Sequence, residues 1–306
     1  MPKPQVVFFG TGPVSRLCLE GIAGPIAIEA IITKPDVHSP SGRRHTAPVK
    51  DWAEEHSIPL HQPDTKAELA DLVQPGRFTS PAGLVVDYGL IIPGAVIDTF
   101  PLGIINSHFS LLPEWRGADP ITFSILSGQT VTGVTLMQVV PALDEGPVLA
   151  QAEYPIPPHT TTPQLTQSLS DLSNRLLLEH LPAYLDGHLA AQPQSDTPTP
   201  TYSRKLTKAD GRLDWTKPAA QLEREIRAYI GWPGSYTSLR DTDVTITAAH
   251  VAAGPSGVAP GTPFYAGRDL AMVTGDGALV IERLIPAGKR EMTGSAYLAG
   301  HPLPHS

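Results

Sequence analysis

An asparagine and a histidine, two residues apart, follow a short apolar run at Ile104 and Ile105. Successive side chains of a strand point to opposite faces, so a strand here places Asn106 and His108 on one face. An amide can donate a hydrogen bond to a developing oxyanion, and an imidazole can gain or lose a proton near neutral pH. The pair therefore indicates a catalytic site, unless it is a strand end whose polar groups simply meet water.

A carboxylate that suits such a site lies in the segment PALDEG, between two apolar runs. Asp144 is expected on a loop bounded by Pro and Gly, where a carboxylate can orient a histidine or act as a base if its pKa is raised. Asn106, His108 and Asp144 together suit acyl transfer to an amine, because this chemistry needs no hydroxyl or thiol nucleophile. A solvated aspartate in a turn is the alternative interpretation.

Other site motifs are absent or broken. Gly10 and Gly12 begin a dinucleotide-binding G-x-G-x-x-G pattern, but Ser15 stands where the third glycine belongs, so a tight strand-to-helix turn is expected instead. The 11 histidines show no ligand-like spacing. A single cysteine, Cys18, allows neither an intramolecular disulfide nor a thiolate metal cluster, so we expect no metal.

The order of apolar runs predicts the fold that positions these residues. A strand, a helix and a second strand open the chain, and further buried strands precede residue 88 and cover 104–108. This order predicts an α/β domain over residues 1–190, with a Rossmann-like, mostly parallel sheet and flanking helices. A stretch rich in Pro, Thr, Ser and Gln predicts a linker over 191–207. Closely spaced short strands then predict a small open β-barrel of the OB type over 208–306.

Composition and charge limit the class of protein. The 306 residues are 41% hydrophobic and 17% charged, which suits two packed domains. The formal net charge is −8, but residues 201–306 hold 12 Lys and Arg against 10 Asp and Glu, which permits a weakly basic C-terminal surface. No signal-peptide-like start and no run of about 18 apolar residues occurs, so we expect a soluble, cytoplasmic protein.

Several segments resemble the formyltransferases that use 10-formyltetrahydrofolate. INSHFSLLPEWRGADPI is similar to the family's Asn-x-His segment, and TGVTLMQVVPALDEGPVLAQ to the segment with its catalytic Asp. DYGLIIP resembles its folate-pocket loop, and SRKLTKADGRLDWTKPAAQLEREIRAYIGWPGSYT resembles the start of its C-terminal domain. The resemblance runs from the first strand to LIPAGKREMTG and so covers nearly the whole chain.

The resemblance implies a role for each candidate. Asn106 would stabilise the oxyanion formed at the formyl carbon, and His108 would assist by hydrogen bonding and proton handling. Asp144 would hold His108 and help remove a proton from the attacking amine. The folate cosubstrate would bind along two segments, namely Tyr88, Gly89, Leu90, Ile91 and Ile92, and Ser110, Leu111, Leu112 and Pro113.

The acceptor implied by the resemblance is initiator methionyl-tRNA, and the protein would then act in translation initiation as a monomer without a metal. Arg43, Arg44 and Lys50, in the loop over residues 36–50, would contact the tRNA, assisted by the C-terminal barrel. Sugar-amine N-formyltransferases share the Asn, His and Asp set, so an amino sugar nucleotide stays open as an alternative acceptor. The extended C-terminal part favours tRNA.

The residues disfavour two other classes of protein. The broken glycine motif counts against a dinucleotide-binding oxidoreductase, and the intact Asn, His and Asp set counts against a catalytically silent binding module. The chain also departs from the family's usual pattern. Asp87 stands where Ala is common, and the loop over residues 36–50 carries fewer basic residues than the resemblance leads one to expect.

Overall fold

The computed structural model describes residues 3–38, 44–45, 47–195, 197–239 and 242–303. The chain forms two compact units. The first unit comprises Met1–Pro120, Val131–Pro155 and Thr166–Ser203. The second comprises Ile121–Thr130, Ile156–Leu165 and Arg204–Ser306. The predicted domain limits at 190 and 208 stay a prediction.

The strands and helices are numbered in chain order. The strands are β1 (Gln5–Gly10), β2 (Ala27–Ile32), β3 (Val37–His38), β4 (Arg44–His45), β5 (Leu60–His61), β6 (Ala82–Val86), β7 (Ile104–His108), β8 (Arg116–Gly117), β9 (Val131–Gln138), β10 (Val148–Pro155), β11 (Tyr202–Ser203), β12 (Ser235–Leu239), β13 (Thr242–Ala252), β14 (Pro263–Ala266), β15 (Asp269–Val273), β16 (Ala278–Pro286) and β17 (Met292–Thr293). The helices are α1 (Pro13–Ile22), α2 (Pro48–Glu55), α3 (Lys66–Leu72), α4 (Gly94–Ile97), α5 (Pro120–Ser127), α6 (Thr162–Leu185), α7 (Ala219–Ala228) and α8 (Gly294–Gly300).

A seven-stranded sheet forms the centre of the first unit, in the order β10-β9-β7-β6-β1-β2-β5. The strands from β7 to β5 pair in parallel, whereas β9 is antiparallel to both β7 and β10. The chain adds β2 on one side of β1 and β6 on the other, so the strand order reverses between β1 and β6. Open α/β sheets bind ligands at the carboxyl ends of the strands beside such a reversal.

The apolar runs form these strands because both faces of the sheet are covered. Val7 and Phe9 of β1 pack on one face with Leu69 of α3 and Val96 of α4. On the other face, Ser107 of β7 hydrogen-bonds to Ser173 of α6 at 2.7 Å, and the Cys18 thiol of α1 lies 3.7 Å from the same Ser173 hydroxyl. Alternation along β7 therefore directs Asn106 and His108 away from α6.

The second unit contains the antiparallel sheet β12-β13-β16-β15-β14, with β17 paired to β16. Its apolar core includes Leu222 and Ile226 of α7, Val244 of β13 and Leu284 of β16. The predicted fold class is confirmed, with a mixed, mostly parallel sheet followed by a smaller antiparallel domain. Within the described residues, no helix has the length and apolar character needed to span a bilayer.

The segment predicted as a linker makes specific contacts as far as Ser203. The backbones of Gln192 and Val148 exchange two hydrogen bonds, of 2.7 and 2.8 Å. Further along, β11 pairs in parallel with β8. This part of the chain therefore adds two short pairings at the edge of the first unit.

Candidate active site

Asn106 and His108 end β7, and residues 87–92 follow the neighbouring strand β6. Parallel pairing of Val85 with Asn106 brings the carboxyl ends of these two strands together. The Asn106 side chain is half-buried and has no hydrogen-bond partner among the described residues. Its amide is therefore available to a ligand at the carboxyl end of β7.

The main chain holds the His108 ring in one orientation. The side chain is only 6% exposed, and Nε2 donates to the backbone carbonyl of Trp115 at 2.9 Å. A carbonyl can only accept, so Nε2 carries a hydrogen and Nδ1 is the nitrogen at which a proton is gained or lost. Nδ1 faces Asp144 Oδ2 at 3.8 Å, which is too long for a direct hydrogen bond but close enough for an ion pair with a protonated ring.

Asp144 lies on the loop between β9 and β10, with a φ of 53° in the left-handed region. Its Oδ2 accepts a 2.7 Å hydrogen bond from the backbone N–H of Gly117. This contact fixes the carboxylate that faces His108. Tertiary structure thus brings together all three predicted catalytic residues, although their roles stay predictions.

The predicted folate-binding residues after β7 form a tightly bonded loop. Ser110 is fully buried, and its hydroxyl donates to the Glu114 carbonyl at 2.5 Å. Thr135 of β9 donates to the Ser110 carbonyl at 2.6 Å and accepts from the Leu112 N–H at 3.1 Å. Leu112 and Pro113 are buried and Leu111 is half-buried. These contacts shape the loop that carries Trp115.

The other predicted folate segment lines the end of β6. Ile91 is 63% exposed, Gly89 is exposed, Leu90 is half-buried and Ile92 is buried. The Tyr88 hydroxyl is buried and has no hydrogen-bond partner within the described part of the chain. Burial raises the pKa of Tyr88 to about 12. The Ile91 side chain is the apolar surface that this segment presents to solvent.

Asp87 lies at the point where the strand order reverses. Water reaches its side chain, but burial by the surrounding protein, and then the nearby Asp119 carboxylate, raise its pKa. A Cβ added to Gly12 would lie 2.0 Å from Asp87 Oδ2, so any larger residue at position 12 would displace the Asp87 carboxylate. Ser15, at the place of the missing third glycine, donates to the Val86 carbonyl at 2.6 Å and ties the start of α1 to β6.

The structure describes only some of the residues predicted to contact tRNA. Arg43 lies outside the described residues, and Arg44 belongs to β4, which pairs with β3. Lys50 on α2 forms a 2.8 Å ion pair with Asp36, in which both side chains are largely buried. The positive charge of Lys50 is therefore already balanced within the protein. The described residues contain no group of three or more His, Cys, Asp or Glu side chains arranged for a metal ion.

Three further residues at this site were not identified from the sequence. Trp115 supplies the carbonyl that orients His108, Gly117 supplies the N–H that fixes Asp144, and Gln194 donates to the main chain of the Asp144 loop. Two of these contacts use backbone atoms, which side-chain chemistry does not reveal. Gln194 lies 50 residues from Asp144 in the sequence, so no local spacing connects them.

Comparison with known proteins identifies the family. The model described as "Formyl transferase" matches residues 6–181, and "Formyl transferase, C-terminal domain" matches residues 205–302. A methionyl-tRNA formyltransferase of Chloroflexus aggregans is 39% identical, over 97% of this chain and 97% of its own. The chain belongs to the methionyl-tRNA formyltransferase family. This formyltransferase also shares 37% identity with the Nitrosococcus oceani enzyme of that name, over 98% of this chain and 94% of the relative.

Solved structures share the fold of this formyltransferase at low sequence identity. An N-formyltransferase from Helicobacter canadensis, in complex with folinic acid and dTDP-3-aminofucose, has a TM-score of 0.66 and 16% identity over 95% of this chain and 100% of its own. HypX from Aquifex aeolicus, in complex with tetrahydrofolic acid, has a TM-score of 0.64 and 18% identity over 96% of this chain and 46% of its own. At such identities the likeness establishes the fold alone.

Proposed function

We propose that this protein transfers the formyl group of 10-formyltetrahydrofolate to the free amino group of initiator methionyl-tRNA, for use in translation initiation. The observation that carries the proposal is likeness over the full length of the chain. Relatives named for this activity align with 97% of the chain at 39% identity, and both parts of the chain match formyltransferase models.

The acyl-transfer step uses Asn106. The amine nitrogen attacks the formyl carbon, and the carbonyl oxygen gains negative charge as the carbon becomes tetrahedral. The Asn106 amide has no other partner among the described residues and donates to that oxygen. Collapse of the intermediate breaks the bond between the formyl carbon and N10 of the folate. The amine loses a proton and N10 gains one, so the products are the formamide and tetrahydrofolate.

The proton from the amine is handled by His108 and Asp144. Because Nε2 of His108 already donates to Trp115, Nδ1 is the position that accepts the proton. The resulting imidazolium faces Asp144 Oδ2 at 3.8 Å, and this negative charge stabilises it. Asp144 thus assists the proton transfer without itself bonding to the formyl group.

The folate cosubstrate binds along residues 88–92 and 110–113. The first segment offers the exposed Ile91 side chain, an apolar surface that suits a planar ring. The second segment supplies the rigid loop after β7. HypX of Aquifex aeolicus, a protein of the same fold, was solved in complex with tetrahydrofolic acid, which supports folate as the cosubstrate class.

The proposed tRNA contacts involve Arg43, Arg44 and Lys50, together with the C-terminal domain. The enzyme works as a cytoplasmic monomer. Arginine side chains bind phosphate oxygens through charge-assisted hydrogen bonds, which suits the first two residues. Lys50 acts mainly through the local structure, because Asp36 balances its charge.

A competition between acceptors tests the proposed function. Purified protein is incubated with 10-formyltetrahydrofolate and, in parallel, with methionyl-tRNA or an amino sugar nucleotide, and the formylated products are quantified. We expect formylation of methionyl-tRNA, with the sugar at background. Formylation of the amino sugar alone would establish the alternative acceptor, since the Asn, His and Asp set serves either amine.

A further inference from the structure

Two parts of the segment predicted as a linker pair with strands: Gln192 with the start of β10, and β11 with β8. At one end, the backbones of Gln192 and Val148 exchange hydrogen bonds at the start of β10, just after that loop. At the other end, β11 pairs with β8, which contains Gly117. A flexible tether needs neither pairing, so this segment supports a particular local structure.

Gln194 lies between these two pairings in the sequence. Its side-chain amide hydrogen-bonds to the Asp144 loop and to Arg116 of β8. Nε2 donates to the carbonyls of Asp144 at 2.7 Å and Gly146 at 2.9 Å. Oε1 accepts from Nη2 of Arg116 at 2.8 Å. Both amide hydrogens are therefore committed to the main chain of the loop, and the oxygen is committed to β8.

The loop needs such support because its own conformation is unusual. Asp144 has a φ of 53°, in a region that residues other than glycine seldom adopt. The Asp144 and Gly146 carbonyls lie in a loop outside the helices and strands, where no regular ladder satisfies them. The Gln194 amide satisfies both carbonyls at once and so favours this one arrangement of the loop.

The carboxylate of Asp144 is fixed through the same segment. Its Oδ2 accepts from the N–H of Gly117 at 2.7 Å, and Gly117 is paired with Ser203 in the β8–β11 ladder. Gln194 thus holds the main chain of the loop, and β11 positions the hydrogen-bond donor to the carboxylate.

We propose that Gln194 is a positioning residue for Asp144, because its amide holds the loop in the conformation that presents the carboxylate to His108. The proposal rests on the proposed function, in which Asp144 assists the loss of a proton from the amine. Gln194 acts through the main chain of the loop and through Arg116, not on a substrate. Its removal therefore changes the rate of the step that uses Asp144, rather than the binding of either substrate.

The test compares formyl transfer by Gln194→Ala, Gln194→Glu and a control, Gln192→Ala. Gln194→Glu keeps an acceptor for Arg116 but loses both donors to the loop. The Gln192 side chain is exposed, and substitution preserves its backbone pairing. We expect both Gln194 variants to lower kcat by about 10- to 100-fold with KM nearly unchanged, since misplacing a reacting group by about 1 Å costs up to that much. The control should match the wild type.

A second comparison asks whether the effect passes through Asp144. In an Asp144→Asn background, Gln194→Ala should lower the residual kcat by less than about 3-fold, because coupled residues have non-additive effects. Equal losses in both backgrounds, or a full kcat in Gln194→Ala, would overturn the proposal. Should Gln194→Ala fail to fold, Gln194→Glu and Gln194→Asn replace it in the same cycle.

These outcomes separate the inference from the proposed function. If the wild-type protein formylates neither methionyl-tRNA nor an amino sugar nucleotide, the proposed function is wrong. Active wild type together with fully active Gln194 variants leaves the function standing and removes the positioning role. A purely structural role predicts a lower melting temperature with normal kcat in the folded fraction, which also contradicts the proposal.

Discussion

His108 has one ring nitrogen bonded to the main chain and one that faces a carboxylate. The Trp115 carbonyl fixes the first, so every change of protonation falls on Nδ1, opposite Asp144. Asn106 shares the same strand face and has an amide without a partner among the described residues. In the proposed mechanism, proton handling and oxyanion stabilisation therefore fall to different side chains at one strand end.

The oxyanion role of Asn106 predicts a loss of rate without a loss of stability. Asn106→Ala should lower kcat for formyl transfer about 100- to 1,000-fold, because one oxyanion donor contributes roughly 3 kcal/mol to the transition state. The chain's other asparagine, Asn174, is a matched control, since its amide donates to the Leu17 carbonyl at 3.2 Å. Asn174→Ala should lower the free energy of unfolding by about 1 kcal/mol and leave kcat unchanged. Normal turnover by a folded Asn106→Ala enzyme would contradict the assignment.

The raised pKa of Asp87 predicts a pH-dependent gain in stability on its replacement. Burial and Asp119 disfavour the charged form of Asp87, so the folded state binds a proton more tightly than the unfolded state. Stability is then lost as the pH rises from the unfolded pKa through the folded one. Asp87→Asn should therefore raise the melting temperature at pH 7 and leave it unchanged near pH 3. A constant difference between the two pH values would show that the carboxylate's charge is not the cause.

At the scale of elements, β8 and β11 contain only two residues each, yet their pairing supports the Asp144 loop. Gly117 of β8 donates its N–H to Asp144, and its φ of 109° favours glycine. A Cβ at this position would lie 2.3 Å from the Ser203 carbonyl oxygen of β11. Pairing with β11 therefore requires glycine at this point.

Gly117→Ala should weaken both the fold and the activity. The methyl group separates β8 from β11, so we expect the free energy of unfolding to fall by roughly 1–3 kcal/mol and formyl transfer to fall with it. Gly103→Ala is the control, because Gly103 has a φ of 71° but no atom within 4 Å of the added carbon. Its cost is backbone strain alone, and its kcat should stay normal. Equal activity in the two variants would argue against a role for the β8–β11 contact.

Charge is distributed unevenly over the whole molecule. The first 200 residues carry 20 acidic and 10 basic side chains, whereas the remainder holds a slight basic excess. Binding of an anionic tRNA therefore depends on local basic segments rather than on the net charge of the protein. In the loop over residues 36–50, Lys50 is neutralised by Asp36, which leaves the two arginines as the better candidates for phosphate contacts.

Replacing both Arg43 and Arg44 by Ala should weaken tRNA binding and flatten its salt dependence. Each lost phosphate contact reduces the slope of log K against log salt by about 1. Lys50→Ala should instead destabilise the fold, because it removes the buried 2.8 Å ion pair with Asp36, and should change the slope less than the arginine variant does. Binding titrations at several salt concentrations measure all three proteins. An unchanged slope in the arginine variant would exclude phosphate contact by this pair.

The sequence by itself determined the sheet, the two-part organisation and the three catalytic candidates. Apolar runs predict buried strands, and the period of two along residues 104–108 places Asn106 and His108 on one face whatever the rest of the chain does. The order of strands and helices predicts a parallel sheet, since parallel neighbours require crossover connections. The folate and tRNA residues were named from resemblance and stay predictions.

Only the tertiary structure decided how the candidates are held. The Trp115 carbonyl and the Gly117 N–H reach the site from β8 and the residue before it, and the Gln194 amide reaches it from a segment that looks like a linker. No composition or periodicity reports a backbone donor or a contact across 50 residues, because such contacts exist only after the chain has closed on itself. Lys50 shows the opposite effect, because a side chain that the sequence suggests is a free cation forms a buried ion pair with Asp36 in the folded protein.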